Sequence, residues 1–287
     1  MNNLSAVPND NPGHAGAQPS NLTLDVEFAS YSDPGRQREH NEDYLGHVSP
    51  TSPAHARSHG WLFVLADGVG GTQKGEIASR AAVEYLTAGF REASPSEGLS
   101  ALLMRLAQEA NVRIYETGRS HSPGGTSMAT TLVACAFRYD RVVVAHAGDS
   151  RCYLIRQRQA SLLTRDHTVA QEQARIGLLT AKEAAEASTR HVLSRSLGTD
   201  LFVNIETSDI QVYPGDILLQ CCDGLYHSVE PSEMAAVAGQ GDLDAAAKRL
   251  VDIANDRDGS DNISVQLIRV RSVERVGMYR GRPYKLR

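Results

Sequence analysis

Acidic residues stand where apolar runs begin or end, and their type and placement define the chemistry open to this chain. Trp61-Leu62-Phe63-Val64-Leu65-Ala66 is an apolar run of strand length that stops at Asp67-Gly68-Val69-Gly70-Gly71. The run reads as a buried strand, and the glycines let the backbone turn tightly and approach a ligand closely. An acid held there is costly unless a metal ion, an arginine or a lysine meets it. The pattern recurs. The run 217–222 stops at Asp223-Gly224, the run 141–147 stops at Gly148-Asp149-Ser150, and Glu42-Asp43 and Asp261-Asn262 stand just ahead of apolar runs. If these ends converge, they present hard oxygen ligands and no thiolate, a donor set that prefers magnesium or manganese over zinc or copper. Carboxylates so close stay ionised only where cations neutralise them. Two ions about 3.5–4 Å apart, bridged by one carboxylate and one water, suit in-line attack on phosphorus. Arg38, close in sequence to Glu42-Asp43, supplies the planar bidentate donor that a phosphate needs.

The elements that must position these groups follow from periodicity and punctuation. Residues 1–21 are rich in Asn, Pro, Gly, Ala and Ser and read as a disordered tail. The stretch 24–30 alternates like a half-buried strand, Ser32-Asp33-Pro34-Gly35 is a turn, 35–44 is a charged loop and 50–60 another loop. Helical spacing marks 75–86 and 99–116, the second with Leu102, Leu103, Leu106, Ala110 and Ile114 on its inner face. Gly124-Gly125 breaks the chain before strands 127–139, 141–147 and 151–156. Asp166-His167 precedes two polar, alanine-rich helical pieces, 169–176 and 181–187, whose weak periodicity reads as a surface excursion within 164–193. Strands 206–212 and 217–222, a helix at 243–253 and a strand at 263–270 complete the domain. Residues 271–287 carry six basic side chains against Glu274 and read as a basic, mostly disordered tail, with a partner or membrane surface as its alternative role. This mixed order implies an α+β domain over 22–270 with two mainly antiparallel sheets.

Composition narrows the class. The 287 residues are 41% hydrophobic and 22% charged, ordinary for a globular domain with a sizeable core. A net charge of −5 argues against nucleic acid as partner. No apolar run is long enough for a membrane span, and the first twenty residues lack a secretion signal. Cys135, Cys152, Cys221 and Cys222 show neither metal spacing nor a disulfide framework and read as reduced core residues, which suits a cytoplasmic protein.

Arg38-Glu39-His40-Asn41-Glu42-Asp43, Asp67-Gly68-Val69-Gly70-Gly71 with Gly75-Glu76-Ile77-Ala78-Ser79, Gly125-Thr126-Ser127, Gly148-Asp149-Ser150-Arg151, Asp166-His167, Asp223-Gly224 and Asp261-Asn262 together resemble the metal-dependent Ser/Thr protein phosphatases of type 2C, in that family's order and over about 24–270. The resemblance, strongest to compact bacterial members, implies a four-layer α-β-β-α sandwich, two mainly antiparallel sheets packed face to face and flanked by helices. It implies two core Mn2+ or Mg2+ ions held by Asp43, Asp67, the Gly68 carbonyl, Asp223 and Asp261. A third ion would sit on Asp149 and Asp223, with Arg38 on the phosphate and Glu42 orienting water. Asp166 and His167 would anchor a flap over about 168–190. The implied reaction is hydrolysis of phosphoserine or phosphothreonine by a metal-bridging hydroxide, opposing a bacterial Ser/Thr kinase and acting on phosphorylated proteins as a monomer. A phosphatase of a sigma-factor partner switch and an inactive binding module on the same fold are the alternatives. Val69 and Thr72 stand where relatives of this kind carry histidines, so a metal-bound water is expected to protonate the leaving group. Ser188-Thr189-Arg190-His191 replaces a His-Pro pair near the end of the flap.

Overall fold

The computed structural model describes residues 24–69, 73–120, 128–273, 275–279 and 282–285. The expected tail at 1–21, the residues Gly70, Gly71 and Thr72, and the segment Gly124 to Ser127 lie outside the described residues. In chain order the first half holds β1 (Leu24–Asp33), β2 (Tyr44–Val48), α1 (Pro53–Ser58), β3 (Trp61–Ala66), β4 (Gly68–Val69), α2 (Gln73–Glu92) and α3 (Leu99–Ser120). There follow β5 (Ala129–Thr130), β6 (Leu132–Arg138), β7 (Arg141–Ala147), β8 (Arg151–Arg156), β9 (Gln159–Leu162), α4 (Val169–Arg175) and α5 (Ala181–Glu186). The last third holds β10 (Glu206–Gln211), β11 (Ile217–Cys221), α6 (Asp223–Tyr226), α7 (Pro231–Ala238), α8 (Leu243–Arg257), β12 (Ile263–Val273), β13 (Val276–Tyr279) and β14 (Arg282–Lys285).

Two antiparallel five-stranded sheets form, in the orders β10-β7-β6-β3-β2 and β1-β12-β11-β8-β9. Strand alternation explains how they stack. Trp61, Phe63 and Leu65 of β3 join Val133, Cys135 and Phe137 of β6 in a core shared with Leu218, Ile268 and Val270 of the other sheet. The intervening Leu62, Val64 and Ala66 face the opposite way, into a second core with α2 and α3. On the other sheet, Ile217, Leu219, Val265 and Leu267 pack against α7 and α8 in a third core. Both faces of each sheet are therefore covered, which accounts for apolar runs with no polar break. The four layers are helix, sheet, sheet, helix. Truncating a fully buried side chain such as Phe63 would cost about 3–5 kcal/mol.

The core between the sheets turns polar toward one end. Gln220 pairs in register with Gln266, and both are fully buried. Gln266 Nε2 donates to Ser30 Oγ at 2.9 Å, while Gln220 Nε2 reaches the Phe63 and Val133 carbonyls of the facing sheet at 3.4 Å. At this end β11 runs out into Asp223 and β12 begins after Asp261-Asn262.

Several expectations are corrected. The stretch expected to be only a loop contains α1, capped by Ser52 Oγ accepting from the His55 N–H at 3.1 Å, with Pro53 in the first turn. The expected strand 127–139 is divided, because β5 pairs with β4 whereas β6 enters the large sheet. β9 and α7 were not anticipated, being short and weakly periodic. Beyond 270 the chain is not a structureless tail throughout: β12 continues to Val273 against Leu24, and β13 pairs with β14. Among the described residues no helix is long and apolar enough to cross a membrane.

Candidate metal centre

Asp67 follows β3 directly, and its peptide is fixed before its carboxylate does anything. Its N–H donates to Thr131 Oγ1 at 3.0 Å, and its carbonyl accepts from the Thr131 N–H and the Thr130 hydroxyl, both at 2.8 Å. Gly68 N–H donates to the Glu42 carbonyl at 3.2 Å, and Ser79 Oγ of α2 donates to the same oxygen. These bonds tie the β3 end, the start of α2 and the loop before β2 into one corner. Here the glycines are required: a Cβ on Gly68 would collide with the Gly75 carbonyl group, and one on Gly75 would meet Glu42 Oε1 at 2.8 Å.

Asn262 fastens the other side. Its Nδ2 donates to the Pro34 and His40 carbonyls at 3.0 and 2.9 Å, and its Oδ1 accepts from the Glu42 N–H at 2.8 Å. The side chain is 6% exposed, so all three bonds are sheltered. We expect Asn262→Ala to lower stability by about 2–4 kcal/mol, because buried backbone groups lose their partners. Chemical denaturation followed by circular dichroism measures this, and a loss below about 0.5 kcal/mol would refute the role.

The carboxylates meet at this corner. Asp43 is 6% exposed, no cationic side chain or backbone N–H meets its oxygens among the described residues, and the Ser264 hydroxyl and Cys222 thiol beside it offset its burial only in part. Oxygens of Asp43 and Asp67 and the Cys222 sulfur lie within 4.8 Å of one another. Burial, reinforced by the Asp223 and Asp261 charges, pushes Asp43 up to about 7. Burial and then Asp43, Asp223, Asp149 and Asp261 hold Asp67 well above the usual carboxylate range. Asp223 is pushed up to about 6, by burial and then Asp261, and Asp149 up to about 7, by burial and then Asp223. The one arginine hydrogen-bonded to these five acids among the described residues is Arg38, whose Nη2 lies 2.8 Å from Asp261 Oδ2. A buried carboxylate with no cationic partner is unstable by several kcal/mol until a cation meets it, and the candidate ligands are all hard oxygen apart from Cys222. The residues therefore fit Mg2+ or Mn2+.

The sequence pattern of the protein phosphatase 2C family matches residues 36–267. The chain belongs to that family. It is 32% identical over 249 residues to the serine/threonine phosphatase stp of Listeria monocytogenes serotype 4b, covering 85% of this chain and 95% of that one. The S. agalactiae serine/threonine phosphatase superimposes with a TM-score of 0.77 at 33% identity, over 87% of this chain and 100% of that one. The catalytic domain of the phosphatase PstP, in complex with two manganese ions, gives 0.74 at 29% identity, over 87% and 100%. The chain is accordingly a metal-dependent serine/threonine protein phosphatase of the 2C family, with the sandwich expected from its sequence.

In this phosphatase the sites expected from sequence divide into two groups. Asp43, Asp67, Gly68, Asp223 and Asp261 share the corner with Glu42 and Arg38, and Asp149 stands beside them on the β7–β8 turn. Asp166 and His167 lie behind that turn. Asp166 takes a bidentate pair from Arg151 at 2.9 and 2.7 Å. His167 Nδ1 accepts from the Gly148 N–H at 3.2 Å, and Nε2 faces Glu206 at 3.2 Å. Burial, His146 and Arg195 push His167 down to about 4, so the ring is neutral at working pH. His146 stacks on it at 4.7 Å.

The segment expected to form the flap is closed at its base. Thr168 bridges Leu193, Val169 N–H donates to the Val192 carbonyl at 2.8 Å, and Ser194 N–H donates to the His167 carbonyl at 2.8 Å. Arg195 spans from Glu172 on α4, at 2.8 Å, to Glu206 on β10, at 3.1 Å. Sequence reasoning missed this Arg195–Glu172–Glu206 network, and it missed the place of Cys222 against the carboxylates. The Cys222 sulfur accepts from the Ser264 N–H at 3.0 Å and donates to the Asn262 carbonyl at 3.3 Å. Only the asparagine of the Asp261-Asn262 pair hinted at the stitching described above.

Proposed function

We propose that this phosphatase removes phosphate from phosphoserine and phosphothreonine side chains of proteins, opposite a Ser/Thr kinase, as a cytoplasmic monomer. The observation that carries the reading is the buried Asp43 carboxylate, met by no cationic side chain among the described residues and standing in a cluster with four further aspartates. Asp43, Asp67, the Gly68 carbonyl, Asp223 and Asp261 would hold two ions, and Asp149 with Asp223 a third and weaker one. When bound, Mn2+ or Mg2+ supplies charge neutralisation, polarisation of the phosphoryl oxygens and a water acidic enough to act as nucleophile near neutral pH.

The chain's own residues then have defined work. Arg38 makes a single bond, to Asp261, among the described residues, which leaves further guanidinium N–H groups for phosphate oxygens. Glu42 is 9% exposed behind Asp43, placed to accept from a water at the cluster and fix its orientation. The Thr130–Thr131 bonds to Asp67 hold its peptide, and so the point from which its carboxylate projects, in place. His167, accepting from the Gly148 N–H, sets the Gly148–Asp149 turn from behind, and Arg151 holds Asp166 next to it. Four free, buried cysteines support a reducing compartment.

The test is phosphate release from a phosphothreonine peptide, with Mn2+ and then with excess chelator. Turnover should fall at least about 100-fold on chelation and return with added metal. Turnover that survives the chelator would overturn the reading.

A further inference from the structure

At the flap edge, three donors of mixed chemistry come together beside the all-oxygen cluster. They are the imidazoles of His191 and His227 and the carboxylate of Asp223, with candidate ligand atoms all within 4.8 Å of one another. Asp223 opens the one-turn helix α6 and His227 closes it, so spacing of i, i+4 puts both side chains on one face. Nδ1 of His227 stands 3.9 Å from Oδ2 of Asp223. His191 comes from the far end of the flap and meets His227 edge to face, with ring centroids 5.1 Å apart. Among the described residues no side chain hydrogen-bonds either ring.

We propose that His191, His227 and Asp223 form a site for a borderline divalent cation of the Zn2+ class, which staples the flap to the carboxylate cluster. Two imidazole nitrogens and one carboxylate are a zinc-type set of three protein ligands with a position left open. Nitrogen donors select Zn2+, Ni2+ or Cu2+ over Mg2+ and Mn2+, so this site and the neighbouring oxygen cluster sort ions by chemistry. Ligands on a common tetrahedral zinc lie about 3.4 Å apart, so the 3.9 Å pair needs only a small side-chain rotation. Both rings have room for it, His191 being exposed and the His227 side chain 41% exposed. The carboxylate has two oxygens, and the one facing His227 would be drawn toward the new ion. Occupancy thus opposes catalysis in two ways: it holds the flap shut, and it competes for Asp223.

The experiment uses the full chain saturated with Mn2+, into which Zn2+ is titrated by calorimetry, for the wild type, His191→Ala, His227→Gln and the double variant. Amide exchange across 169–186 and turnover of a phosphothreonine peptide are followed in parallel. The wild type should bind one more Zn2+ than the double variant, and each single variant should weaken that site at least about tenfold. Zn2+ should slow exchange of the flap in the wild type only, and its inhibition of turnover should weaken in the variants. Equal Zn2+ stoichiometry and affinity in the double variant would overturn the proposal, as would equal inhibition, which would place the zinc in the oxygen cluster. Calorimetry and exchange need no turnover, so a failure of the phosphatase reading would be seen separately.

Discussion

The metal-free protein is expected to unfold at a lower temperature at pH 8 than at pH 5, and Mn2+ is expected to remove the difference. The sign follows from the acids at the corner. Asp43 and Asp149 are raised to about 7 and Asp223 to about 6 in the folded chain, against an ordinary value of 3.8. Folding therefore takes up protons that the unfolded chain has released. The contribution is fully present below about pH 4, and it is lost as pH rises through 6 and 7, where the folded state must ionise side chains that repel one another. Each tenfold gain in a carboxylate's proton affinity on folding is worth about 1.4 kcal/mol, so these groups together amount to several kcal/mol. In a domain of this size each kcal/mol moves Tm by about 2–4 °C, and a fall on the order of 10 °C between pH 5 and pH 8 is expected. Bound Mn2+ keeps the carboxylates ionised at both pH values and restores stability most where it was most depressed. Scanning calorimetry with chelator and with Mn2+ measures both curves. A metal-free Tm that is flat or rising over this range would show that the cluster is not strained by its own charge.

Asp67→Asn separates activity from stability in opposite directions. The substitution keeps shape, and the bonds that place residue 67 are made by its backbone N–H and carbonyl, which asparagine retains. What it removes is one negative charge among Asp43, Asp149, Asp223 and Asp261. Turnover of a phosphothreonine peptide should fall about 100- to 1,000-fold, as when a group that stabilises transition-state charge is deleted. The metal-free variant should nonetheless melt a few degrees above the wild type at pH 8, because the strain on the remaining acids is relieved. Mn2+ should raise its Tm less than it raises that of the wild type. Activity within tenfold of the wild type, or a lower metal-free Tm at pH 8, would count against Asp67 as a ligand.

The acids could be read from sequence because a strand covered on both faces leaves an unbroken apolar run, and Trp61–Ala66 is buried throughout. Wherever such a run stops at a carboxylate, the stop is visible. Convergence was not visible from spacing alone. Glu42 and Asn262 are hydrogen-bonded across 220 residues, and no local pattern encodes which strand ends lie side by side. Cys222 looked like core because it is core, yet strand alternation turns its sulfur toward Asp43 and Asp67. The short helices α1 and α7 carried their signals in Ser52-Pro53 and Glu230-Pro231, but six and eight residues give too little periodicity to decide. The hairpin of β13 and β14 hid in a stretch where basic charge dominated the composition.

The closed base of the flap has a consequence for how this chain can change over time. Thr168 and Leu193 are bridged, so everything between them begins and ends at the same point on the scaffold. Lengthening or shortening such a segment alters its closure entropy only logarithmically, by about 0.6 kcal/mol for a doubling. Its tip carries Ile176 and Leu178, which are 60% and 68% exposed and contribute little to any core. The exposed tip around 176–178 is therefore the part of this segment freest to change in length and sequence. Sequence change there can leave the carboxylates beside the Gly148–Asp149 turn where they are.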